Sequence, residues 1–283
     1  MTSNTNSLPN STRRVWAQHP LWQAVLAILA TVIPIAVVLA LAEASVPKVW
    51  RIAWPSLFAA ALCVWGYCAY VRRIERREPV ELAVAGSMRE LIPGLALGMA
   101  LAISSLALLN FAGVFHIEGS NSWTAALKPL PEMVLVAVFE EILFRAILFR
   151  KTEAAWGSTV ALIASAVFFV VAHLPNEGIS VMAVIVTAVA ATGFASAYML
   201  TRRLWLPIGM HFAWNTWFES FVSLPVSGHA SHGWARGLLE GPEWLSGGTY
   251  GIEASTATLL VWVLVSAALL WRVRKRGQWM VRG

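Results

Sequence analysis

The amino-acid sequence contains roughly eight apolar segments of about twenty residues each. A helix needs about 20 consecutive apolar residues to cross the hydrocarbon core of a bilayer, so each segment is a candidate transmembrane helix. Charged residues make up only 13% of the 283 residues, against about 25% in typical soluble domains. These features predict an all-α polytopic membrane protein, a bundle of about eight transmembrane helices. The segments are residues 22–44, 52–71, 91–112, 131–150, 157–174, 179–200, 205–223 and 255–272.

The lysine and arginine residues predict the orientation of this bundle. With the N-terminus placed inside, sixteen of them fall in inner segments, whereas the outer segments hold only Lys48, Arg51, Lys128 and Arg236. Basic residues accumulate on the cytoplasmic side of membranes, so both termini are predicted to be cytoplasmic, in the cell inner (plasma) membrane. The net charge of +6 follows from this topology. The predicted partner is therefore the lipid bilayer and not nucleic acid.

The first apolar segment, the two cysteines and the connections between the helices complete the predicted organisation of the chain. The first apolar segment is longer than a signal-peptide core and no small-residue cleavage site is evident, so we interpret it as a transmembrane helix. Cys63 and Cys68 lie five residues apart on one helix and point in different directions, so free thiols are expected. The predicted organisation is a polar cytoplasmic tail (1–20), three transmembrane helices (21–112) with a charged loop (72–90), a helical core (130–223), an extracytoplasmic loop (224–254), and a last transmembrane helix with a basic cytoplasmic tail (255–283).

Two adjacent glutamates, Glu140 and Glu141, lie in the middle of the fourth apolar segment. An ionisable residue at bilayer depth costs at least about 2–3 kcal/mol, so the pair indicates a functional site with specific partners. Glu141 precedes Arg145 by four residues, which places the two side chains on one helix face as an ion pair. Glu140 points about 100° away and has no local partner, so we expect it to face a buried polar cavity.

Further polar residues lie in two later apolar segments. Phe169 and His173 share one face of the fifth segment, and His211 and Asn215 share one face of the seventh, with Glu219 one turn later. Taken singly, a membrane histidine or asparagine is as readily an interhelical hydrogen-bond partner as a functional group. Together with the glutamate pair, these residues form a set that can activate water and stabilise an oxyanion.

Absent residues and motifs narrow the chemistry. All fifteen acidic residues are glutamates, which excludes an aspartyl-protease dyad and a Ser-His-Asp triad. There is no His-Glu-x-x-His segment and no Gly-x-Ser-x-Gly nucleophile elbow, as zincins and α/β-hydrolases require. A transporter with Glu140 as a proton or cation site is an alternative, but the inverted repeat and broken helices expected of one are not visible.

Three motifs carry a resemblance to a known family. Glu140-Glu141-x-x-x-Arg145, Phe169-x-x-x-His173 and His211-x-x-x-Asn215, in this order and each near a membrane helix, resemble the CPBP family. These are the CAAX-protease and bacteriocin-processing membrane proteins, also called the abortive-infection family, related to the type II CAAX prenyl endopeptidase. The resemblance covers roughly residues 130–220 and implies an eight-helix intramembrane endopeptidase.

Carried over to the matching positions, the resemblance implies a role for each residue. Glu140 would be the general base that activates water, and His173 would help to hold that water. His211 and Asn215 would stabilise the oxyanion. The supporting residues would be Glu141, Arg145 and Phe169. The implied substrate is a membrane-associated or hydrophobic peptide or protein.

The sequence leaves alternatives open for the cofactor, for the function and for the depth of the site residues in the membrane. No metal is predicted, because the three residues that could bind zinc, Glu140, His173 and His211, are dispersed over three helices. A non-catalytic membrane scaffold or a bacteriocin-immunity-type protein is the alternative function. The predicted topology places Glu140 near mid-membrane, His173 near the outer end and His211 nearer the inner end. A shared site therefore requires the helices to tilt or the predicted boundaries to shift.

Overall fold

The computed structural model describes residues 20–282, with the side chains of residues 20 and 21 left aside. The predicted cytoplasmic tail, with Arg13 and Arg14, lies outside the described residues except for its last position. The helices longer than ten residues are α1 (Pro20–Ser45), α2 (Trp54–Tyr70), α3 (Met88–Phe111), α4 (Leu130–Glu141), α5 (Arg150–His173), α6 (Val181–Thr201), α7 (Trp205–Thr216) and α8 (Thr256–Lys275).

Shorter helical pieces extend or connect these helices. π-Helical turns continue three of them, at Val71–Glu75, Ile142–Phe149 and Trp217–Val222. π-Helical turns are rare and are frequently found at functional sites, and two of these three adjoin α4 and α7, which carry predicted site residues. The remaining pieces are the 3₁₀ turns Lys48–Trp50, Val80–Leu82, Trp123–Leu127, Gly248–Tyr250 and Ile252–Ala254, and the one-turn α-helix Glu243–Ser246.

Helix length and composition agree with a membrane protein. Within residues 20–282, six helical runs are long and apolar enough to cross a membrane, and one of them, Trp123–His173, contains both the fourth and the fifth predicted helices. The predicted all-α polytopic membrane fold is therefore confirmed. α7 is not one of the six; nine of its twelve residues are buried, so this helix contacts protein on most of its surface.

Gly157 breaks the long run into two helices. Its φ of 81° and ψ of 171° are not helical, and this region of backbone conformation is essentially restricted to glycine. The sequence predicted a connection over 151–156, whereas the structure keeps those residues helical and turns at the single glycine. Beyond the turn, the two helices lie side by side, with Phe144 and Phe169 ring centroids 4.8 Å apart.

The C-terminal segment packs onto this break. The Ser158 amide donates to the Met280 carbonyl oxygen (2.9 Å), and the Met280 amide donates to the Ser158 hydroxyl oxygen (2.9 Å). The Gln278 side-chain amide donates to the Leu200 carbonyl oxygen (3.0 Å) at the end of α6. The segment after α8 therefore satisfies backbone groups that the break leaves open.

The end of the bundle that carries most basic residues is held together by ion pairs. Glu75, at the end of α2, contacts Arg150 at the start of α5, with Oε1 and Nη2 2.7 Å apart. Arg203 contacts Glu90 of α3 at 3.0 Å. The charged loop predicted at 72–90 therefore links the ends of separate helices instead of lying free in solvent.

Tight packing between α3 and α7 depends on glycine. A Cβ on Gly94 would lie 2.3 Å from the Leu206 carbonyl oxygen, and a Cβ on Gly98 would lie 2.1 Å from the Met210 carbonyl oxygen. The two glycines are four residues apart, which is the spacing that lets membrane helices approach closely. This contact fixes the backbone of α7 at Met210, next to His211.

Two polar connections form a small sheet that was not predicted. β1 (Phe115–Ser120) pairs antiparallel with β2 (Ala235–Leu239), with an irregularity between Ile117 and Gly119. The predicted loop 224–254 is thereby tied to the segment after α3. Its strand pairing joins residues more than a hundred positions apart, which local sequence patterns do not reveal.

The apolar core has two main clusters. One is built around Tyr67, Phe149 and Tyr198, and the other around Trp214 and Trp262. The two cysteines are free, as predicted, and the one at position 63 is buried in the first cluster. The second cluster lies beside the polar residues described below.

Substituting Gly98 with alanine is expected to destabilise the protein. The added methyl group would overlap the Met210 carbonyl, so α3 and α7 must separate, at a cost of about 1–3 kcal/mol, although alanine is the better helix former. Thermal unfolding of the detergent-solubilised protein measures this. The matched control is Ala96→Leu, which adds a larger side chain on the exposed face of α3. An unfolding temperature for Gly98→Ala at or above that of the unsubstituted protein would contradict the packing described.

Candidate active site

A fully buried carboxylate, Glu141, organises the polar centre of the bundle. Arg145 Nη1 donates to Glu141 Oε1 at 3.0 Å, and both side chains are 0% exposed. His211 Nδ1 lies 2.9 Å from the same oxygen. The structure thus forms the Glu141–Arg145 pair within α4 and its π-helical continuation, and it links this pair to α7 through His211.

Aromatic rings surround the Arg145 guanidinium. Its Cζ lies 4.8 Å from the Phe169 ring centroid and 5.1 Å from that of Phe194, distances at which a cation interacts favourably with an aromatic ring. Arg145 Nη2 also donates to the Ala191 carbonyl oxygen at 3.2 Å. Phe169, which the resemblance implied as a supporting residue, therefore contacts the Arg145 guanidinium. Phe194 has no signal in the sequence, because one phenylalanine in an apolar helix is indistinguishable from the others.

The environment of His211 orients its imidazole ring. The ring stacks on Phe194, with centroids 4.7 Å apart, and its Nδ1 is held by Glu141. Since an ionised carboxylate only accepts hydrogen bonds, Nδ1 carries a proton. Nε2 is therefore left on the other side of the ring, where it lies 3.9 Å from Glu140 Oε2.

Glu140 differs from its neighbour in having no fixed partner. Its side chain is 18% exposed and lines a cavity. Its Oε2 atom is buried and makes no hydrogen bond within residues 20–282. The separation of 3.9 Å from His211 Nε2 is too long for a hydrogen bond. The two adjacent glutamates thus occupy different environments, as the 100° rotation between them predicts.

His173 is held by the backbone of its own helix. Its Nδ1 lies 2.7 Å from the Phe169 carbonyl oxygen, and its ring stacks on the Phe169 ring at 4.5 Å. A carbonyl oxygen only accepts, so Nδ1 carries the proton and Nε2 is left as the free nitrogen. Phe169 therefore contacts both His173 and the Arg145 guanidinium.

Asn215 lies one helical turn after His211. It is 6% exposed and makes no hydrogen bond to another of the described residues. Its side chain lines the same cavity as Glu140, His173 and His211. An amide group with both donors free is available to a ligand in that cavity.

One cavity of about 640 Å³ is lined by all four candidate catalytic residues. The sequence predicted that Glu140, His173 and His211 lie at different depths in the membrane. All three still reach one cavity, because the cavity extends along the bundle from His211 to the ends of α5 and α7. It reaches the surface where exposed residues line it, at Glu132, Ala172, His229 and Ala230. These residues lie at the end of the bundle that carries the β1–β2 sheet.

The loop 224–254 forms part of the cavity wall. Val226, Ser227 and His229 line the cavity from this loop. Glu253 anchors it: Trp214 Nε1 donates to Glu253 Oε1 at 2.7 Å, and the Ser227 amide donates to Oε2 at 2.6 Å. No role in the site was predicted for this loop, because these contacts arise only when the loop folds back over α7.

The three residues proposed as zinc ligands do not form a metal site as arranged. Within the described part of the chain, no group of three His, Cys or Glu side chains is placed to hold a metal ion. The Nδ1 atoms of His173 and His211 contact the Phe169 carbonyl oxygen and Glu141, an arrangement that is also found in histidines that bind a metal through Nε2.

Comparison with known proteins agrees with the sequence motifs. Residues 121–217 match the family model described as Rce1-like, type II CAAX prenyl endopeptidase. The match spans about a third of the chain and includes Glu140, His173, His211 and Asn215. It confirms the predicted resemblance to CAAX-type intramembrane proteases. No curated protein and no solved structure gives a significant match.

The two adjacent glutamates are expected to respond differently to neutralisation. Glu141→Gln leaves the buried Arg145 guanidinium without a counter-ion, so the free energy of unfolding should fall by about 3–5 kcal/mol. Glu140→Gln breaks no hydrogen bond and should change it by less than about 1 kcal/mol. Thermal unfolding of both variants in the same detergent makes the comparison. Equal losses of stability would show that the two carboxylates are not divided in this way.

Proposed function

We propose that this protein is an intramembrane endopeptidase in which Glu140 activates water to hydrolyse a peptide bond of a membrane-associated or hydrophobic substrate. One observation carries this proposal. The Glu140 side chain lines the cavity, and its buried Oε2 atom lies 3.9 Å from His211 Nε2 and has no hydrogen-bond partner among the described residues. A buried carboxylate without a partner is costly for folding alone. Its position on a cavity wall supports a catalytic use.

Simple geometry supports a water molecule beside these two groups. Hydrogen bonds to water are about 2.8 Å long, so one water molecule can bridge Glu140 Oε2 and His211 Nε2 across 3.9 Å. Because Oε2 is buried, the Glu140 side chain must first rotate slightly toward the cavity. The water then donates to Oε2 and accepts from protonated Nε2. The Nε2 atom of His173 is the free nitrogen of its ring, and it can accept a hydrogen bond from that water. These contacts would orient the nucleophile toward a peptide carbonyl in the cavity.

The proposed reaction divides proton transfer and charge stabilisation between residues. Glu140 takes a proton from the water, and the resulting hydroxide attacks the carbonyl carbon. His211 enters the reaction as the imidazolium ion, because it lies between the carboxylates of Glu141 and Glu140. The oxyanion of the tetrahedral intermediate then accepts hydrogen bonds from the Asn215 amide and from the Nε2 proton of His211. Collapse of the intermediate breaks the C–N bond, and Glu140 returns its proton to the leaving amine. No metal ion takes part in this proposal.

The buried cluster supports this division of roles. Glu141 contacts the His211 ring at Nδ1, and Phe194 stacks on the face of the ring. These two contacts keep Nε2 in a fixed direction. Arg145 neutralises Glu141 and thereby leaves Glu140 as the unpaired carboxylate of the site. A catalytic base works best when its supporting groups are already in place before the substrate binds.

We also propose that both termini and the basic end of the bundle face the cytoplasm. Sixteen of the 21 basic residues belong to inner segments under this orientation, as the positive-inside rule requires. The cavity then opens on the extracytoplasmic side, at Glu132, His229 and Ala230. Under this proposal the substrate is a peptide segment presented outside the cytoplasm or in the outer half of the membrane.

Replacing Glu140 with glutamine is expected to lower the rate of peptide hydrolysis by roughly 10²–10⁴-fold, because the amide cannot accept the proton from water. Substrates are first found by mass spectrometry of new peptide N-termini in membranes containing the active protein, and cleavage of one such peptide is then timed. Glu132→Gln, which removes a charge from the same helix at the cavity mouth, is the matched control and should stay active.

Hydrolysis by Glu140→Gln at the unsubstituted rate would exclude the mechanism. A cellular phenotype that persists in Glu140→Gln would favour the non-catalytic scaffold instead. Loss of activity on treatment with a zinc chelator, restored by added zinc, would contradict the metal-free proposal.

The orientation is tested by labelling single cysteines in a chain with Cys63→Ala and Cys68→Ala. Ala230→Cys at the cavity mouth should react with a membrane-impermeant maleimide in intact cells. Arg276→Cys, in the tail after α8, should react only after the cells are lysed. Both positions are exposed, so differences in reactivity report the side of the membrane. The reverse pattern would show that the cavity opens to the cytoplasm.

A further inference from the structure

Glu219 is unlike the other buried glutamates. Four glutamates of residues 20–282 are less than 9% exposed, and three of them contact an arginine that neutralises their charge. Glu219 is 8% exposed and forms no ion pair with any of the described residues. The three neutralised pairs are Glu81 with Arg77, Glu141 with Arg145, and Glu153 with Arg202.

The buried Glu219 carboxylate lowers the stability of the fold because it has no counter-ion among the described residues. Burying an ionised carboxylate without a counter-ion is unfavourable, whereas an apolar side chain at the same place would carry no such cost. Residues that lower stability in this way are concentrated at functional sites. Glu219 therefore indicates a ligand that supplies the missing charge.

Glu219 lies on the wall of the candidate active-site cavity. Glu219 lies in the π-helical continuation of α7, eight residues after His211 and four after Asn215, and it lines the cavity with them. It lies toward the cavity mouth from the catalytic groups, because α7 runs from His211 toward the loop 224–254. A bound segment that extends from the mouth to Glu140 therefore lies beside the wall that carries this carboxylate.

The charges around the cavity favour a cation. Of the residues between 20 and 282 that line it, four are glutamates and none is a lysine or an arginine. Glu140 serves the proposed catalysis, Glu253 is bound to Trp214 and Ser227, and Glu132 is exposed at the mouth. Glu219 is the buried carboxylate that is left without an assigned role.

The loop 224–254 encloses this position. The Ser231 hydroxyl donates to the Glu219 main-chain carbonyl oxygen at 2.9 Å. A Cβ on Gly233 would lie 2.4 Å from that oxygen, so the glycine lets the loop pass directly over the end of α7. Only 8% of Glu219 is exposed, so water screens its attraction to a cation less than it would at a surface carboxylate.

We propose that Glu219 binds the basic side chain, lysine or arginine, of the peptide segment that enters the cavity. This inference rests on the proposed function in that the bound segment is taken to be the substrate. It defines that substrate as a hydrophobic segment with a basic residue near the bond to be cleaved. A carboxylate binds a guanidinium through two parallel hydrogen bonds, so arginine is the favoured residue.

Binding of two blocked peptides to the full-length protein tests the proposal without catalysis. Both are heptapeptides of leucine and alanine, with a central arginine in one and a central citrulline, the uncharged isostere, in the other. The protein carries Glu140→Gln so that neither peptide is cleaved, and affinity is followed by tryptophan fluorescence, since Trp214 and Trp262 line the cavity. The arginine peptide should bind at least about tenfold more tightly than the citrulline peptide.

Adding Glu219→Gln should reduce this ratio to about one. The matched control adds Glu118→Gln instead, which removes an exposed charge from β1 at the same end of the bundle, and it should keep the ratio. Equal affinities for the two peptides before Glu219 is changed would overturn the proposal. So would a ratio that survives Glu219→Gln, or one that Glu118→Gln abolishes as well.

Stability gives an independent measurement. Because Glu219 has no cation partner, Glu219→Gln should leave the unfolding temperature unchanged or raise it, whereas Glu153→Gln, which breaks the contact with Arg202, should lower it. If Glu219→Gln fails to fold or loses as much stability as Glu153→Gln, the carboxylate is structural and the proposal is wrong. Charge-dependent binding at Glu219 in a protein that hydrolyses no peptide would instead refute the proposed function alone.

Discussion

The buried contact among Glu141, Arg145 and His211 is the interaction on which the site depends. One oxygen of Glu141 accepts from Arg145 at 3.0 Å and from His211 at 2.9 Å. The contact therefore ties α4 to α7 and fixes the direction of the His211 ring. Neither charge is solvated, so the pair persists only because each ion neutralises the other. The aromatic rings of Phe169 and Phe194 complete the environment of the guanidinium. Glu140 is left unpaired as a consequence, and the proposed chemistry uses that residue.

Backbone packing delivers α7 to this contact. The glycines of α3 bring the two helices close enough that a single methyl group at position 98 would overlap the Met210 carbonyl. His211 follows Met210 directly, so its position depends on the packing of α3 against α7, although neither glycine of this contact takes part in the proposed chemistry. At the far end of the same helix, the loop 224–254 folds back and is anchored by Glu253 to Trp214. The cavity lies between these two contacts. Around Glu140 it is lined by buried and half-buried side chains, and it reaches the surface at the loop.

Much of the site could be predicted from local spacing. The helical repeat separates Glu140 from Glu141 by about 100° and aligns Glu141 with Arg145, and the structure has both features. The same spacing put Phe169 with His173 and His211 with Asn215, and all four residues lie together at the candidate site. The depth of each residue in the membrane could not be predicted well, since hydropathy does not report how deeply a cavity penetrates a bundle. The turn at Gly157 was also misplaced by several residues, because a single glycine can end a helix without a polar loop.

The sequence by itself determined the all-α membrane fold, the eight helical segments, the division between the two glutamates and the family resemblance. These follow from apolar length, charge distribution and the 3.6-residue repeat, which act within one helix. Only the tertiary structure decided which residues from different helices meet: His211 with Glu141, Phe194 with Arg145, and the loop 224–254 with the end of α7. It also decided that Glu219 is buried without a cation. Contacts between distant segments depend on the packing of the whole bundle, and one sequence carries no local pattern for them.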